Sequence, residues 1–356
     1  MLRDLISTAD ASGDLDLVEQ LAVLRGHLTH TIAAAVVDLD GRPIARWARL
    51  TTNKPRTVRQ LEATVDADPR FELGSITKAL TGMLLADAIE RGELAPATTA
   101  GEILAAKPDL AARTEGPLHS LTMLELATHT SGLPRLPRTA GTTGRLLRLT
   151  LLGLDPYRGQ SAERVLELAA GQPLRHRGEY RYSNLGGALA GQLLAIAGGR
   201  SYPALLRERI LIPLGMNAST IAVKGDAAPS GRSSSGLRRQ AWILDGYAPA
   251  GGVISTINDV ARLTEALVDG SAPGIASLQP LADVAPSAPG RQAGMFWVIE
   301  PLTDTGATLI WHNGRTGGYS AFLGLLRGQR RGAAVLTNAA RGADGRRIAL
   351  AVLDSL

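Results

Sequence analysis

Short apolar runs bounded by turn residues recur at both ends of the chain. Two N-terminal runs, 31–38 and 44–50, flank Asp40-Gly41, a dipeptide typical of tight hairpin turns. Further strand-like runs cover 295–300, 307–311, 321–326 and 333–337. Helices are expected at 15–27 and 346–353. The two ends therefore predict an antiparallel sheet with covering helices.

The middle of the chain has a different pattern. From residue 76 to about residue 211 it is mostly helical in character, with clear segments at 121–128, 162–170 and 185–197. A stretch at 134–159 is rich in Pro, Gly, Thr and Arg, and we interpret it as a loop over a functional site, because long loops are usually functional or disordered. A second stretch, 226–239, is rich in Ser, Gly and Arg and is expected to be mobile.

Sheet from both termini and helices from the middle predict an α/β (α+β) fold with an inserted all-α domain. Residues 1–74 and 241–356 are expected to form the α/β domain, and residues 75–240 the mainly helical domain. The functional site is expected in the crevice between them.

Composition narrows the possible functions. With 356 residues, 45% of them hydrophobic, the chain can bury a large core. The net charge is +5, but the arginines are dispersed and aromatic residues make up only 4%, so we expect no nucleic-acid partner. No segment is long and apolar enough to span a bilayer, and no apolar leader is visible at the N-terminus, which predicts a cytoplasmic protein. The absence of cysteine excludes disulfides and thiolate catalysis, and the six histidines are scattered, so neither a metal nor a cofactor is expected.

A Ser-x-x-Lys tetrad, Ser75 to Lys78, is the strongest chemical signal. Lysine occurs at only four positions, Lys54, Lys78, Lys107 and Lys224, and every other basic residue is arginine. Unlike arginine, a buried lysine can lose its proton and act as a base. Gly74-Ser75 precedes an apolar helical run, which places Ser75 at a helix N-terminus and Lys78 on the same face. Taken alone, the tetrad is also compatible with a serine that caps the helix and a lysine at the surface.

Two later motifs support a catalytic role for the Ser-x-x-Lys tetrad. Tyr182-Ser183-Asn184 lies in a polar turn before a helix, and His312-Asn313-Gly314 follows the strand-like run at 307–311. In this order the three motifs resemble those of the penicillin-recognising serine hydrolases. The chain is most similar to the class C β-lactamase-like branch, which includes D-Ala-D-Ala carboxypeptidases, D-aminopeptidases and family VIII carboxylesterases. The resemblance runs from about residue 32 to the C-terminus, and it implies a serine β-lactamase-like fold and a small-molecule or peptide substrate.

The resemblance also implies a role for each motif residue. Ser75 would attack a carbonyl to form an acyl-enzyme, and Lys78 with Tyr182 would act as the base. A cation near Tyr182 is expected to lower the pKa of its hydroxyl. Asn184 would orient Lys78 and the substrate. Tyr157, within the long loop, is a further candidate at the site.

The third motif departs from the family pattern. β-Lactamases mostly carry Lys-Thr-Gly or Lys-Ser-Gly there, whereas this chain has His312, Asn313 and Gly314. The oxyanion hole would use the backbone N–H of Ser75 and of Arg315, the residue after Gly314. If Arg315 lies on the same side of the strand as Asn313 and faces the substrate, it could replace the missing lysine as a carboxylate clamp; alternatively it bends out to solvent.

These motifs predict a serine hydrolase that cleaves an ester or amide, as a carboxylesterase or D-amino-acid peptidase does. Three alternatives stay open: a β-lactamase or penicillin-binding carboxypeptidase, an acyltransferase or peptide-cyclising thioesterase, and a non-catalytic sensor that accepts an acyl group. The sequence leaves the substrate and the oligomeric state open.

Overall fold

The computed structural model describes residues 9–13, 31–40, 46–52, 69–223, 231–233, 237–285, 287–340 and 344–354. The helix expected at 15–27 lies outside these residues, as does most of the stretch expected to be mobile at 226–239. No helix within the described ranges is both long and apolar enough to cross a membrane.

An antiparallel sheet forms one layer of the described structure. The strands are β1 Ala9–Gly13, β2 Ile32–Asp38, β3 Arg46–Thr52, β4 Phe71–Glu72, β5 Thr220–Ile221, β6 Gly231–Arg232, β7 Arg238–Arg239, β8 Val253–Ser255, β9 Ala282–Asp283, β10 Gln292–Ala293, β11 Val298–Pro301, β12 Thr308–Arg315, β13 Ser320–Leu326 and β14 Arg331–Thr337. Nine of them form one sheet in the order β1-β3-β2-β14-β13-β12-β11-β10-β9. Since β2 pairs with β14 as well as β3, strands from the two ends of the chain join in one sheet, as expected.

Helices form the remaining layers. They are α1 Ile76–Glu90, α2 Ala100–Leu104, α3 Pro108–Arg113, α4 Met123–Ala127, α5 Ala140–Leu152, α6 Ala162–Ala170, α7 Asn184–Ala197, α8 Tyr202–Leu206, α9 Ala248–Gly251, α10 Ile257–Asp269 and α11 Gly345–Asp354. The helical segments expected at 121–128, 162–170 and 185–197 correspond to α4, α6 and α7. The expected α/β architecture with an antiparallel sheet is therefore confirmed, while the domain limits at residues 74 and 240 stay a prediction.

The core explains why the sheet lies between helices. Side chains alternate across a strand, so Ile32, Ala34 and Val36 of β2 pack in one apolar cluster with the closing helix α11. Ala33 and Ala35 face the other way, into the main core with α1 and α10. Helix α1 is buried along nearly its whole length, because it lies inside this main core.

Two segments differ from the sequence-based expectation. The 134–159 stretch is not wholly a loop, since it contains the 13-residue helix α5, which begins at the N-cap Thr139 and ends at the left-handed Gly153. The composition of the whole stretch did not indicate this helix, because the residues around it are rich in Pro and Gly. Strand β12 extends to Arg315, so the third motif lies inside the strand and not after it. Strand alternation therefore decides where its side chains point.

Candidate active site

Ser75 lies where strand β4 ends and helix α1 begins. Gly74, with φ of +51°, makes the turn, and a Cβ at this glycine would lie 2.7 Å from the backbone N of Arg315. Although Ser75 is the N-cap residue of α1, its hydroxyl makes no capping hydrogen bond. A serine that served only as a helix cap would bond a backbone N–H of the first turn. The Ser75 hydroxyl instead meets two side chains.

Lys78 is the first of these side chains. Its Nζ lies 3.1 Å from Ser75 Oγ and 2.6 Å from the carbonyl oxygen of Ala250. The side chain is fully buried, and helix α7 makes room for it at Gly187, where a Cβ would lie 2.9 Å from Lys78 Cε. Burial, followed by the positive charge of Arg135, holds the pKa of Lys78 well below its usual 10.5. The surface interpretation of this lysine is therefore wrong, and the amine is suited to act as a base.

Tyr182 is the second side chain that meets the Ser75 hydroxyl. Its hydroxyl donates a 2.8 Å hydrogen bond to Ser75 Oγ. Burial raises the pKa of Tyr182 to about 12, although the hydrogen bond with Ser75 and the charge of Arg135 act in the opposite direction. The expectation that a nearby cation lowers this pKa is therefore wrong, because removal of the ring from water outweighs the charge. At neutral pH the Tyr182 hydroxyl is therefore protonated and can donate a hydrogen bond.

The three groups form one directed chain of hydrogen bonds when Lys78 is neutral. In the structure Tyr182 and Lys78 Nζ both donate to Ser75 Oγ, and Lys78 also donates to the carbonyl of Ala250. In the neutral form of Lys78 the Ser75 hydroxyl instead donates to the lone pair of Nζ. Each oxygen and nitrogen has a partner in this arrangement. It leaves the serine proton directed at the amine that can accept it.

Strand β12 brings the third motif to the serine. A Cβ at Gly314 would lie 1.8 Å from the carbonyl oxygen of Leu73 and 3.2 Å from the backbone N of Ser75, so only glycine allows this approach. The N–H of Thr316 bonds the carbonyl of Tyr319. Because hydrogen-bonded pairs alternate along antiparallel strands, the N–H of Arg315 points away from β13. It is free to serve with the Ser75 N–H as an oxyanion hole.

Residues of this motif line two neighbouring cavities, and Asn313 lines both of them. Asn313 and Arg315 are exposed and both line the crevice that contains Ser75, a cavity of about 560 Å³. His312 is buried and lines a separate cavity of about 120 Å³ behind Tyr182. Burial and the charge of Lys78 lower the pKa of His312 to about 3, so it is neutral, and its Nδ1 lies 2.6 Å from the carbonyl of Asn313. His312 therefore does not line the crevice that contains Ser75, although its cavity shares Asn313 and Tyr182 with that crevice.

Asn184 and Tyr157 meet at the floor of the crevice. The Asn184 amide donates a 3.1 Å hydrogen bond to the Tyr157 hydroxyl, whereas the hydrogen bonds of Lys78 go to Ser75 and Ala250. The expected contact of Asn184 with Lys78 is therefore replaced by one with Tyr157. Tyr157 is the expected loop residue, and its ring lies 5.5 Å from that of Trp242.

His129 supports Tyr182 from behind. Its Nδ1 accepts a 3.2 Å hydrogen bond from the backbone N–H of Ser183, and its ring lies 4.6 Å from the Tyr182 ring. Burial holds the pKa of His129 well below 6.5. These contacts give His129 a structural role, in which it bonds backbone and packs against the Tyr182 ring.

Sequence reasoning missed several residues of the crevice. The Arg135 guanidinium lies 5.4 Å from the centroid of the Tyr182 ring. Leu146, Leu149 and Trp242 line the crevice as well. The sequence offers little to distinguish Arg135 from the many dispersed arginines, and the leucines belong to the helix that composition concealed. A larger cavity of about 910 Å³ lies beside the C-terminal half of α7 and contains none of the three motifs.

Comparison with known proteins identifies the family. A family model described as Beta-lactamase matches residues 22–356. The chain is 25% identical over 310 residues to the unguisins hydrolase ungD' of Aspergillus campestris (strain IBT 28561), covering 78% of this chain and 54% of that protein. It is 30% identical over 198 residues to a β-lactamase of Escherichia coli (strain K12), covering 54% of this chain and 46% of that protein. The chain thus spans about half the length of these two relatives.

Solved structures share the fold. The D-alanine carboxypeptidase AmpC from Burkholderia cenocepacia matches with a TM-score of 0.72 at 24% identity, and the match covers 100% of both chains. A D-stereospecific amidohydrolase from a Streptomyces species matches with a TM-score of 0.71 at 20% identity, covering 94% of this chain and 97% of that one. The expected serine β-lactamase-like fold and the expectation of an enzyme of this kind are confirmed. The chain belongs to the Beta-lactamase family, whose relatives are serine hydrolases.

Proposed function

We propose that this protein hydrolyses an ester or amide through an acyl-enzyme on Ser75. The observation that carries the proposal is the placement of Ser75 Oγ, within hydrogen-bonding distance of both the buried amine of Lys78 and the hydroxyl of Tyr182. A free serine hydroxyl is a poor nucleophile and needs such a base.

Acylation follows from these positions. Lys78 takes the Ser75 proton as Oγ attacks the substrate carbonyl, and the new C–O bond leaves negative charge on the carbonyl oxygen. The N–H groups of Ser75 and Arg315 stabilise that charge. Tyr182 donates its proton to the departing alcohol or amine and regains one from Lys78. The products of this step are the acyl-enzyme and the free leaving group.

Deacylation uses the same groups with water in place of the leaving group. Lys78, again neutral, and Tyr182 relay the proton of an attacking water to Ser75 Oγ as the acyl bond breaks. Hydrolysis thereby restores the starting state. If an amine or alcohol excluded water, the same site would transfer the acyl group, and if neither attacked, the protein would stay acylated.

The crevice supports a substrate that carries a carboxylate. Arg135 and Arg315 both line it, and a guanidinium binds a carboxylate through charge-assisted hydrogen bonds. We therefore favour a D-amino-acid peptidase or an esterase of acidic esters. The carboxypeptidase and amidohydrolase among the matching structures agree with this choice, and efficient β-lactam hydrolysis is a less favoured alternative because the third motif lacks its lysine.

Intact mass spectrometry tests the proposal directly. The protein is incubated with p-nitrophenyl butyrate, a D-alanine p-nitroanilide and a β-lactam, and sampled from seconds to hours. A transient mass increase equal to the acyl group, on a peptide that contains Ser75, is expected with at least one of them. Added hydroxylamine should shorten its lifetime if acyl transfer competes with hydrolysis. A mass increase that persists for hours would support the acyl-accepting sensor.

Two serine variants provide the comparison. Ser75→Ala should abolish both the mass increase and turnover, because the loss of a catalytic nucleophile costs several orders of magnitude in rate. Ser161→Ala is the matched control, since Ser161 also begins a helix but its side chain caps that helix. This control should lose some stability and keep its activity. An acylated or active Ser75→Ala protein would refute the proposal.

A further inference from the structure

Helix α5, residues 140–152, is a long helix with no buried side chain. It nevertheless carries five leucines, at positions 146, 147, 149, 151 and 152. A surface helix normally buries an apolar stripe against the protein. The leucines of α5 therefore do not pack into the core.

Two of these leucines face the catalytic serine. Leu146 and Leu149 line the crevice that contains Ser75. Leu149 lies beside Gly317, just beyond Arg315 at the end of β12, since a Cβ at Gly317 would be 3.7 Å from Leu149 Cδ1 and 2.9 Å from Trp242 Nε1. The two leucines and Trp242 thus form an apolar wall next to the proposed oxyanion hole.

The other leucines do not share this position. Leu147 and Leu151 are 57% and 69% exposed, and neither is among the residues that line the crevice. Because residues i and i+4 lie on one face of a helix, Leu147 and Leu151 form a separate face from Leu146 and Leu149.

The ends of α5 hold the helix in place without using its leucines. Thr139 caps the first turn by accepting a 3.2 Å hydrogen bond from the Thr142 N–H. At the other end, the backbone N–H of Gln240 donates to the carbonyl of Gly153 at 3.3 Å. Arg145 Nη1 also donates to the carbonyl of Arg158 at 2.7 Å. The leucine side chains are therefore available to a ligand.

We propose that α5 sets the substrate class: an ester or amide whose acyl portion carries an apolar group that packs on Leu146, Leu149 and Trp242. The inference rests on the proposed acyl-enzyme function and specifies its substrate. Such a substrate has two parts. Its apolar acyl chain packs on the wall, and its polar or anionic end faces Arg135 and Arg315, which line the same crevice.

Acyl-chain selectivity tests this inference. With p-nitrophenyl esters from acetate to octanoate, kcat/KM of the wild-type protein should rise about fourfold for each methylene that packs on the wall. The double variant Leu146→Ala/Leu149→Ala should flatten this slope below about twofold. The double variant Leu147→Ala/Leu151→Ala, with the same loss on the same helix, should keep the wild-type slope. Equal slopes in the two double variants would overturn the proposal.

A binding measurement separates this inference from the catalytic proposal. Calorimetry of the Ser75→Ala protein with butanoate, hexanoate and octanoate needs no turnover. The Kd should fall about fourfold per methylene, and the added Leu146→Ala/Leu149→Ala pair should remove this dependence. If no acyl-enzyme forms but Kd still falls with chain length, the apolar wall is supported and the catalytic proposal is not. If acylation occurs but neither assay depends on chain length, the apolar wall is refuted and the catalytic proposal remains.

Discussion

A buried carboxyl group next to the active site gives a prediction about stability and pH. Glu72 is 3% exposed, lies three residues before Ser75, and accepts a 2.9 Å hydrogen bond from the backbone N–H of Trp242 through Oε1. The side chain of Thr316, the residue after Arg315, lowers the pKa of this carboxyl group. Its Oε2 is buried without a hydrogen-bond partner among the described residues. Burial is the main reason that the pKa of Glu72 rises from 4.5 to about 7.

The raised pKa of Glu72 determines how the stability of the protein changes with pH. The folded protein holds the Glu72 proton more tightly than the unfolded chain, so the contribution to stability is present in full below pH 4.5. It is lost as the pH rises towards 7, where the folded carboxyl must ionise in its buried place. A pKa difference of about 2.5, from 4.5 to about 7, corresponds to about 3.5 kcal/mol at about 1.4 kcal/mol per pH unit, of which about 3 kcal/mol is lost between pH 4.5 and 8.

Glu72→Gln removes the ionisation and keeps the shape of the side chain. Urea unfolding of wild type and variant is measured from pH 4.5 to 8.5, and the two free energies of unfolding are subtracted at each pH. The subtraction cancels the contributions of Lys78 and the buried histidines. The difference should move by about 3 kcal/mol in favour of the variant between pH 4.5 and 8.

The exposed Glu115 provides the control, since Glu115→Gln removes one carboxylate from the surface. Its difference from wild type should change by less than about 0.5 kcal/mol over the same range. A Glu72→Gln difference that is equally flat, or that moves in favour of the wild type as the pH rises, would refute the reasoning.

Three further predictions concern activity. Lys78→Arg should be nearly as inactive as Lys78→Ala in ester hydrolysis, because arginine cannot release its proton. Near-normal turnover of the arginine variant would show that Lys78 acts only as a fixed positive charge and not as a base. Gly187→Ala should lower kcat at least about tenfold with little change in Tm, since its Cβ would displace Lys78 Cε, 2.9 Å away; a kcat within twofold of wild type would show that Lys78 has room. Arg315→Ala should weaken kcat/KM for a D-Ala-D-Ala peptide by about 1.5–3 kcal/mol and leave neutral esters nearly unchanged; equal losses on both would exclude the carboxylate clamp.

Much of the site could be inferred from sequence because its chemistry is local. Ser75 and Lys78 lie three residues apart at a helix start, so helical geometry alone places them on one face. The order of the three motifs was enough to suggest the family and its fold. The alternation of β12 also predicted that Asn313 and Arg315 share a side, which their common exposure matches.

The same local reasoning had limits even at these positions. It treated His312 as a crevice residue, although the same alternation along β12 places His312 on the opposite side of the strand from Asn313. It gave Tyr182 a lowered pKa, because the sequence shows which charges are present but not how much water surrounds the ring. Composition also concealed α5 within the long loop.

What the sequence by itself determined was the periodicity of its strands and helices and the identity of the reactive groups, since both depend on residues close together in the chain. Only the tertiary structure decided which distant groups meet. Tyr182 reaches Ser75 across 107 residues of chain, and Ala250 reaches Lys78 across 172. Desolvation and the crevice wall depend on such contacts, because burial is a property of the packed chain and not of any short segment of it.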